Sequence, residues 1–256
     1  MLEIQGISKK FSAFTVVNNV SFTVAPGEIL GYLGPNGAGK TTTIRMLAGL
    51  LQPSRGRIVF EGQEVGGNLA AYKRRLGYVP EQSEIYPHLS AYEYLTMVGR
   101  LRGLPERALK DKVVEFLTIF DLEGDMHGPI SSYSKGMRQK VLISAALLHD
   151  PDILLLDEPL SGLDVTTSLV MRDLIRRLAG ARKIIIYSSH VLEVTEKVCS
   201  KVIILHKGTI AANDSVENLR QLMNLPSLAE IFSQLVVPED TGAVAGRIVA
   251  AMRGEG

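Results

Sequence analysis

The sequence predicts an α/β fold: a mainly parallel sheet flanked by helices, with an antiparallel β layer at its start and an α-helical lobe inserted midway. Three observations carry this. Over residues 153–206 short apolar runs alternate with helical stretches, the pattern of a parallel sheet covered on both faces. Over residues 90–122 apolar residues recur at helical spacing, as in Leu95, Val98 and Leu101 and again in Val113, Phe116, Leu117 and Phe120. At the start of the chain Val20, Phe22 and Val24 alternate with polar Ser21 and Thr23, the period of a half-buried strand.

Taken in order, residues 2–24 read as strand, with Phe11 and Phe14 at a first bend and Pro26-Gly27 closing the run as a turn. Residues 28–33 form a short apolar strand, and 42–50 a helix ending near Gly49. Gln52-Pro53-Ser54-Arg55-Gly56 breaks the chain, after which 57–62 is a strand with a turn, 72–75 the end of a short helix and 76–80 another strand. Gly103-Leu104-Pro105 splits the helical block in two. Ser134 caps a helix running to about His149, Asp150-Pro151 stops it, and Ile153-Leu154-Leu155-Leu156 is a fully apolar strand. Helix (165–178), strand (183–187), helix (191–198) and strand (201–206) follow. Lys207-Gly208 turns into a return strand at 209–212, and 214–232 reads as two small helices split at Pro226. Beyond Val237 small residues and glycines predict a loosely held tail. The expected organisation is a core with its β layer (1–85 and 150–212), a helical lobe (86–149), and C-terminal helices with a tail (213–256).

Composition narrows the function classes. The 46% apolar content is ample for a buried core, and a formal net charge of +1, with no basic run interleaved with aromatics, argues against nucleic acid as a partner. Cys199 is the only cysteine, so no disulfide or cysteine metal site forms within one chain. The N-terminus does not read as a signal peptide, and no apolar run approaches the roughly 18 residues of a membrane span. Work at a membrane would go through another subunit.

Chemistry is concentrated in two places. Gly34-Pro35-Asn36-Gly37-Ala38-Gly39-Lys40-Thr41 lies between a strand and a helix and fits the phosphate-binding P-loop. Its glycines bring backbone N–H groups close to an anion, and the following helix adds its positive end. Lys40 would reach the β- and γ-phosphates, Thr41 would hold Mg²⁺, and Thr42 beside it is counted among the nucleotide-binding residues. The second place is Asp157-Glu158-Pro159, where a dry strand aims two acids at one site: Asp157 for the metal, Glu158 to orient and deprotonate water. Together they define a P-loop NTPase core.

These segments are joined, in order, by Val79-Pro80-Glu81-Gln82 before the helical lobe, Ser161-Gly162-Leu163-Asp164 after the acidic pair, and Ser188-Ser189-His190 after the next strand. In this combination, over roughly residues 2–235, the chain resembles the nucleotide-binding subunit of ATP-binding cassette (ABC) transporters. The resemblance implies ATP and Mg²⁺ as ligands. It gives Gln82 a contact to Mg²⁺ and the attacking water, His190 a hold on the γ-phosphate and Glu158, and Phe11 a stacking place against adenine. Asp164 would lie across a dimer interface, or act as a helix N-cap, or both.

The family's Leu-Ser-Gly-Gly-Gln stretch aligns with Tyr133-Ser134-Lys135-Gly136-Met137. Ser134 and Gly136, which bring a hydroxyl and a bare N–H to a γ-phosphate, are kept; Lys135 and Met137 are departures. Lys135 either adds positive charge near the partner's nucleotide or is simply solvated. Ser-Lys-Gly-Met followed by Arg138-Gln139-Lys140 resembles the form found in ABC-2 exporters, whose membrane subunit is a separate chain. The implied partners are a second copy, or a homologous ATPase subunit, and a multi-span membrane subunit, placing the protein at the cytoplasmic face of the membrane. The principal alternative is an ABC ATPase that moves a protein assembly. A DNA-repair clamp would need a long heptad coiled coil, which is lacking, and a GTPase or small-molecule kinase would leave Ser134 and Gly136 unexplained.

Overall fold

The computed structural model describes residues 1–82, 85–236 and 241–253. Chain order is β1 (Leu2–Phe11), β2 (Phe14–Val24), β3 (Ile29–Leu33), α1 (Lys40–Leu47), β4 (Arg55–Phe60), β5 (Gln63–Glu64), α2 (Leu69–Arg74) and β6 (Leu76–Val79). Then come α3 (Ala91–Leu101), α4 (Glu106–Ile119), α5 (Lys135–Leu147), β7 (Ile153–Asp157), α6 (Val165–Gly180), β8 (Ile184–Ser188), α7 (Leu192–Val198) and β9 (Lys201–His206). The chain closes with β10 (Thr209–Ser215), α8 (Val216–Met223), α9 (Leu228–Val236) and α10 (Thr241–Arg253).

Two sheets result. β2-β1-β4-β5 is antiparallel, and β10-β9-β3-β8-β7-β6 is parallel apart from its edge strand β10. The apolar strands run without polar interruption because both faces of the larger sheet are dry. Leu154 and Leu156 of β7, with Ile185 and Tyr187 of β8, point into one core with Val141, Ile143, Met171 and Ile175 from α5 and α6. Ile153, Leu155, Ile184 and Ile186 point the other way, into a second core with Ile44 and Leu47 of α1 and Ile4, Val20 and Phe22 of the antiparallel sheet. At about 1.5–3 kcal/mol for each fully buried aliphatic side chain, this sandwich is the main source of stability. It also fixes β3, β7 and β8 side by side, so the loops at their C-terminal ends share one edge.

Local signals set the lobe. Ser90 and Glu93 form a reciprocal capping box at α3: Ser90 Oγ accepts from the Glu93 N–H at 3.2 Å, and Glu93 Oε2 accepts from the Ser90 N–H at 2.8 Å. Leu95, Leu109, Val113 and Leu117 bury the facing stripes of α3 and α4. Among the described residues, no helix is long and apolar enough to cross a membrane.

Two features depart from the sequence expectation. β10 runs on to Ser215, because Asn213, Asp214 and Ser215 continue to pair with Ile203, Val202 and Lys201; the boundary expected after Ala212 falls inside this strand. Thr241–Arg253 is helical where a loose tail is expected, since Ala, Val, Ile, Met and Arg dominate it despite its two glycines. The rest of that tail, 237–240 and 254–256, lies outside the described residues.

Candidate nucleotide site

Gly34 to Thr41 turns from the end of β3 into α1 under tight constraint. A side chain at Gly34 would meet the Leu205 carbonyl at 2.5 Å, and one at Gly39, where φ is 105°, would meet the Val16 carbonyl at 2.8 Å. Only glycine fits at Gly39, on both conformational and steric grounds. The turn is pinned by the Gly208 N–H donating to the Ala38 carbonyl at 3.1 Å, while Asn18 N–H donates to the Gly208 carbonyl at 2.8 Å. Gly39 caps α1 without a side chain, and the first turn carries no acid, so its N–H groups stay open to an anion. Lys40 Nζ donates to the Gly34 and Pro35 carbonyls at 2.6 and 3.1 Å. Burial holds its pKa below the usual value, against the pull of Glu158, Asp157 and Glu81.

Asp157, at the end of β7, is 1% exposed, and its Oδ2 has no hydrogen-bond partner. Burial pushes its pKa up to about 6; the neighbouring Ser188 hydroxyl and the charge of Lys40 oppose the shift, and Glu81 and Glu158 add to it. An ionised carboxylate there is destabilising until a cation reaches it. Asp157→Asn is therefore expected to raise the melting temperature of the nucleotide-free chain by roughly 5 °C, measured by calorimetry; a lower melting temperature would show that the carboxylate already has a stabilising partner.

Glu158 has φ 52°, a left-handed conformation uncommon for a residue with a long side chain. Its two oxygens are held separately: Ser189 Oγ donates to Oε2 at 3.2 Å, and His190 Nδ1 lies 2.8 Å from Oε1. The Glu158 side chain is 11% exposed and that of His190 75%, so the imidazole covers the acid from the solvent side. The Asp157↔Ser188 register of β7 and β8 brings these residues together.

Two clefts meet at Gln82. One, of about 570 Å³, is lined by Phe11, Thr41, Thr42, Tyr78, Gln82 and Asp157 among others. Its neighbour, of about 520 Å³, is lined by Gln82, Lys135, Arg138, Glu158, Ser161 and His190 among others. Phe11 borders the first with 45% exposure, whereas Phe14, 78% exposed, is not among its lining residues. Ser134, Gly136 and Asp164 line neither. Ser134 caps α5, its Oγ accepting from the Met137 N–H at 3.2 Å, and Asp164 caps α6, accepting from the Thr167 N–H at 2.8 Å. Lys135 is exposed, and its Nζ donates to Ser161 Oγ of its own chain at 2.7 Å. Sequence reasoning missed Ser189 as a Glu158 partner and Gln139, which is buried and donates to the Pro159 carbonyl at 3.0 Å. The available signal for Ser189 was its place one residue past a strand paired with the one ending in Asp157.

The residues suit Mg²⁺ with a nucleotide. Among the described residues no cluster of three His, Cys, Asp or Glu side chains forms a metal cage. An unpartnered buried carboxylate oxygen, a threonine hydroxyl and a glutamine around one cleft fit an ion that takes its remaining ligands from phosphate and water.

A glycine cradle at a helix start, a lysine beside it and a buried acidic pair at the adjoining strand define a P-loop nucleotide-binding protein. Residues 17–161 match the family model described as ABC transporter. The chain is 37% identical over 242 residues to the ABC transporter ATP-binding protein NatA of Bacillus subtilis (strain 168), spanning 93% of this chain and 98% of that protein. It is 34% identical over 208 residues to Nod factor export ATP-binding protein I of Ralstonia nicotianae (strain ATCC BAA-1114 / GMI1000), covering 81% and 65% of the two chains. A solved structure described as the ATP binding subunit of an ABC transporter superposes with a TM-score of 0.86 at 32% identity, over 92% of this chain and 99% of that one. The chain belongs to the ABC transporter family, as an ATP-binding ATPase subunit.

Proposed function

We propose that this chain hydrolyses ATP as a head-to-tail dimer and passes the movement to a separate membrane subunit that exports a solute. The observation that supports this most is the division of labour at Gln82: Thr41 and Asp157 on one side, and Glu158 with Ser189 and His190 on the other. Thr41, Asp157 and Gln82 would hold Mg²⁺, which would supply positive charge against the phosphates. The P-loop N–H groups and Lys40 grip the phosphates, and Phe11 stacks on the base. Glu158 orients the attacking water and accepts its proton; Ser189 and His190 keep both carboxylate oxygens in place for it.

Ser134 and Gly136, at the start of α5, serve the partner's nucleotide. Asp164 sits at the same interface. Residues 86–149 act as the lobe that carries Gln82's state to the membrane subunit at the cytoplasmic face. Export is favoured because a relative's name states it for that protein. The test is phosphate release by the purified chain with Mg²⁺ and ATP, together with recovery of a multi-span membrane protein from native membranes; no release above background would sink the ATPase reading. Phe11→Ala is expected to weaken ATP binding about tenfold, at the lower end for a half-exposed stacking ring, as read by nucleotide titration.

A further inference from the structure

We infer that Lys135 and Gln139 are positioning residues that tie the start of α5 to the turn carrying Glu158, coupling the two nucleotide sites of the dimer; this rests on the dimeric reading above. Three contacts make the tie. Lys135 Nζ donates to Ser161 Oγ at 2.7 Å, Gln139 Nε2 donates to the Pro159 carbonyl at 3.0 Å, and a side chain at Gly136 would meet the Gly162 carbonyl at 2.6 Å. The Lys135 stem also lies along Gly162, whose added Cβ would come within 3.0 Å of Lys135 Cγ. Ser161 is in turn fastened to the acid, its N–H donating to the Glu158 carbonyl at 3.1 Å.

Lys135 occupies the first turn of α5, where the helix dipole disfavours a cation and no acid offsets it. A lysine there is explained by what its ammonium reaches, the Glu158 turn. Ser134 and Gly136 face the partner's nucleotide, whereas Glu158 acts on the chain's own. A block spanning Ser134 to Gln139 and Glu158 to Gly162 that moves together makes occupancy of one site adjust the catalytic acid of the other.

The experiment uses the full chain with Mg²⁺ and ATP. Lys135→Met keeps the stem on Gly162 and removes the ammonium. It is expected to lower the maximal hydrolysis rate about fivefold and bring the Hill coefficient for ATP toward 1, with the melting temperature and the ATP affinity of the single chain unchanged. Ser161→Ala should do the same, and the double variant should be no worse than either single one. Lys135→Arg should restore cooperativity. A Lys135→Met chain with wild-type rate and Hill coefficient, or strictly additive losses in the double variant, overturns the coupling while leaving the ATPase dimer standing. A wild-type chain that shows no ATP-dependent dimer overturns the dimeric reading itself.

Discussion

Glu158→Gln is expected to cut ATP turnover by about a thousandfold while leaving ATP affinity intact and accumulating an ATP-bound dimer. Glutamine keeps the length and shape that let Ser189 and His190 hold the side chain, at 3.2 and 2.8 Å from its oxygens. It loses the ability to take a proton from water. Binding and chemistry are thereby separated: the P-loop is untouched, so nucleotide still enters and still bridges two chains. Phosphate release and size-exclusion chromatography in ATP report the two halves. A variant that turns over near the wild-type rate would remove Glu158 from the role of base. One that is inactive yet never dimerises would remove ATP from the role of bridge.

Lys40→Met is expected to weaken ATP binding by about a hundredfold or more, since charge-assisted contacts to phosphate are lost from a partly buried position. Stability should behave differently. Burial lowers the Lys40 pKa, which means folding disfavours its charged form. The ammonium is retained against that cost by two loop carbonyls, those of Gly34 and Pro35, which lose this donor in the uncharged variant. Nucleotide-free Lys40→Met should therefore melt within a few degrees of the wild type, while the stabilisation that saturating ATP gives the wild type disappears. A large drop in the nucleotide-free melting temperature would instead make Lys40 a structural prop of the loop. Paired calorimetric scans with and without Mg²⁺ and ATP distinguish these results.

Most of the elements are legible in the sequence because their causes are local. The apolar run at 153–156 is a strand buried on both faces, the apolar spacing over 90–122 marks the helical lobe, and Gly34 to Thr41 announces its turn. What is not legible depends on side chains that meet across the fold. Lys135 bonded to Ser161 and Gln139 bonded to the Pro159 carbonyl connect separate segments, and no periodicity encodes either. Ser189 next to His190 looks ordinary until the β7–β8 register brings it beside Glu158. The helix Thr241–Arg253 escapes because its glycines and small residues resemble a tail as readily as a helix.

The position of β3 also has a consequence in time. It lies between β8 and β9, with Ile29 paired to Ile185 and Leu33 to Ile204, and the loop that follows it is tied to Gly208. During synthesis the P-loop emerges early, but both strands that flank β3 come much later, and closing so long a segment is a slow, entropically costly step. ATP is therefore expected to act late in the folding of this subunit. A chain truncated before β9 carries every residue of the phosphate cradle but lacks the strand and the Gly208 contact that brace it, and is expected to bind ATP far more weakly than the full chain in a nucleotide titration.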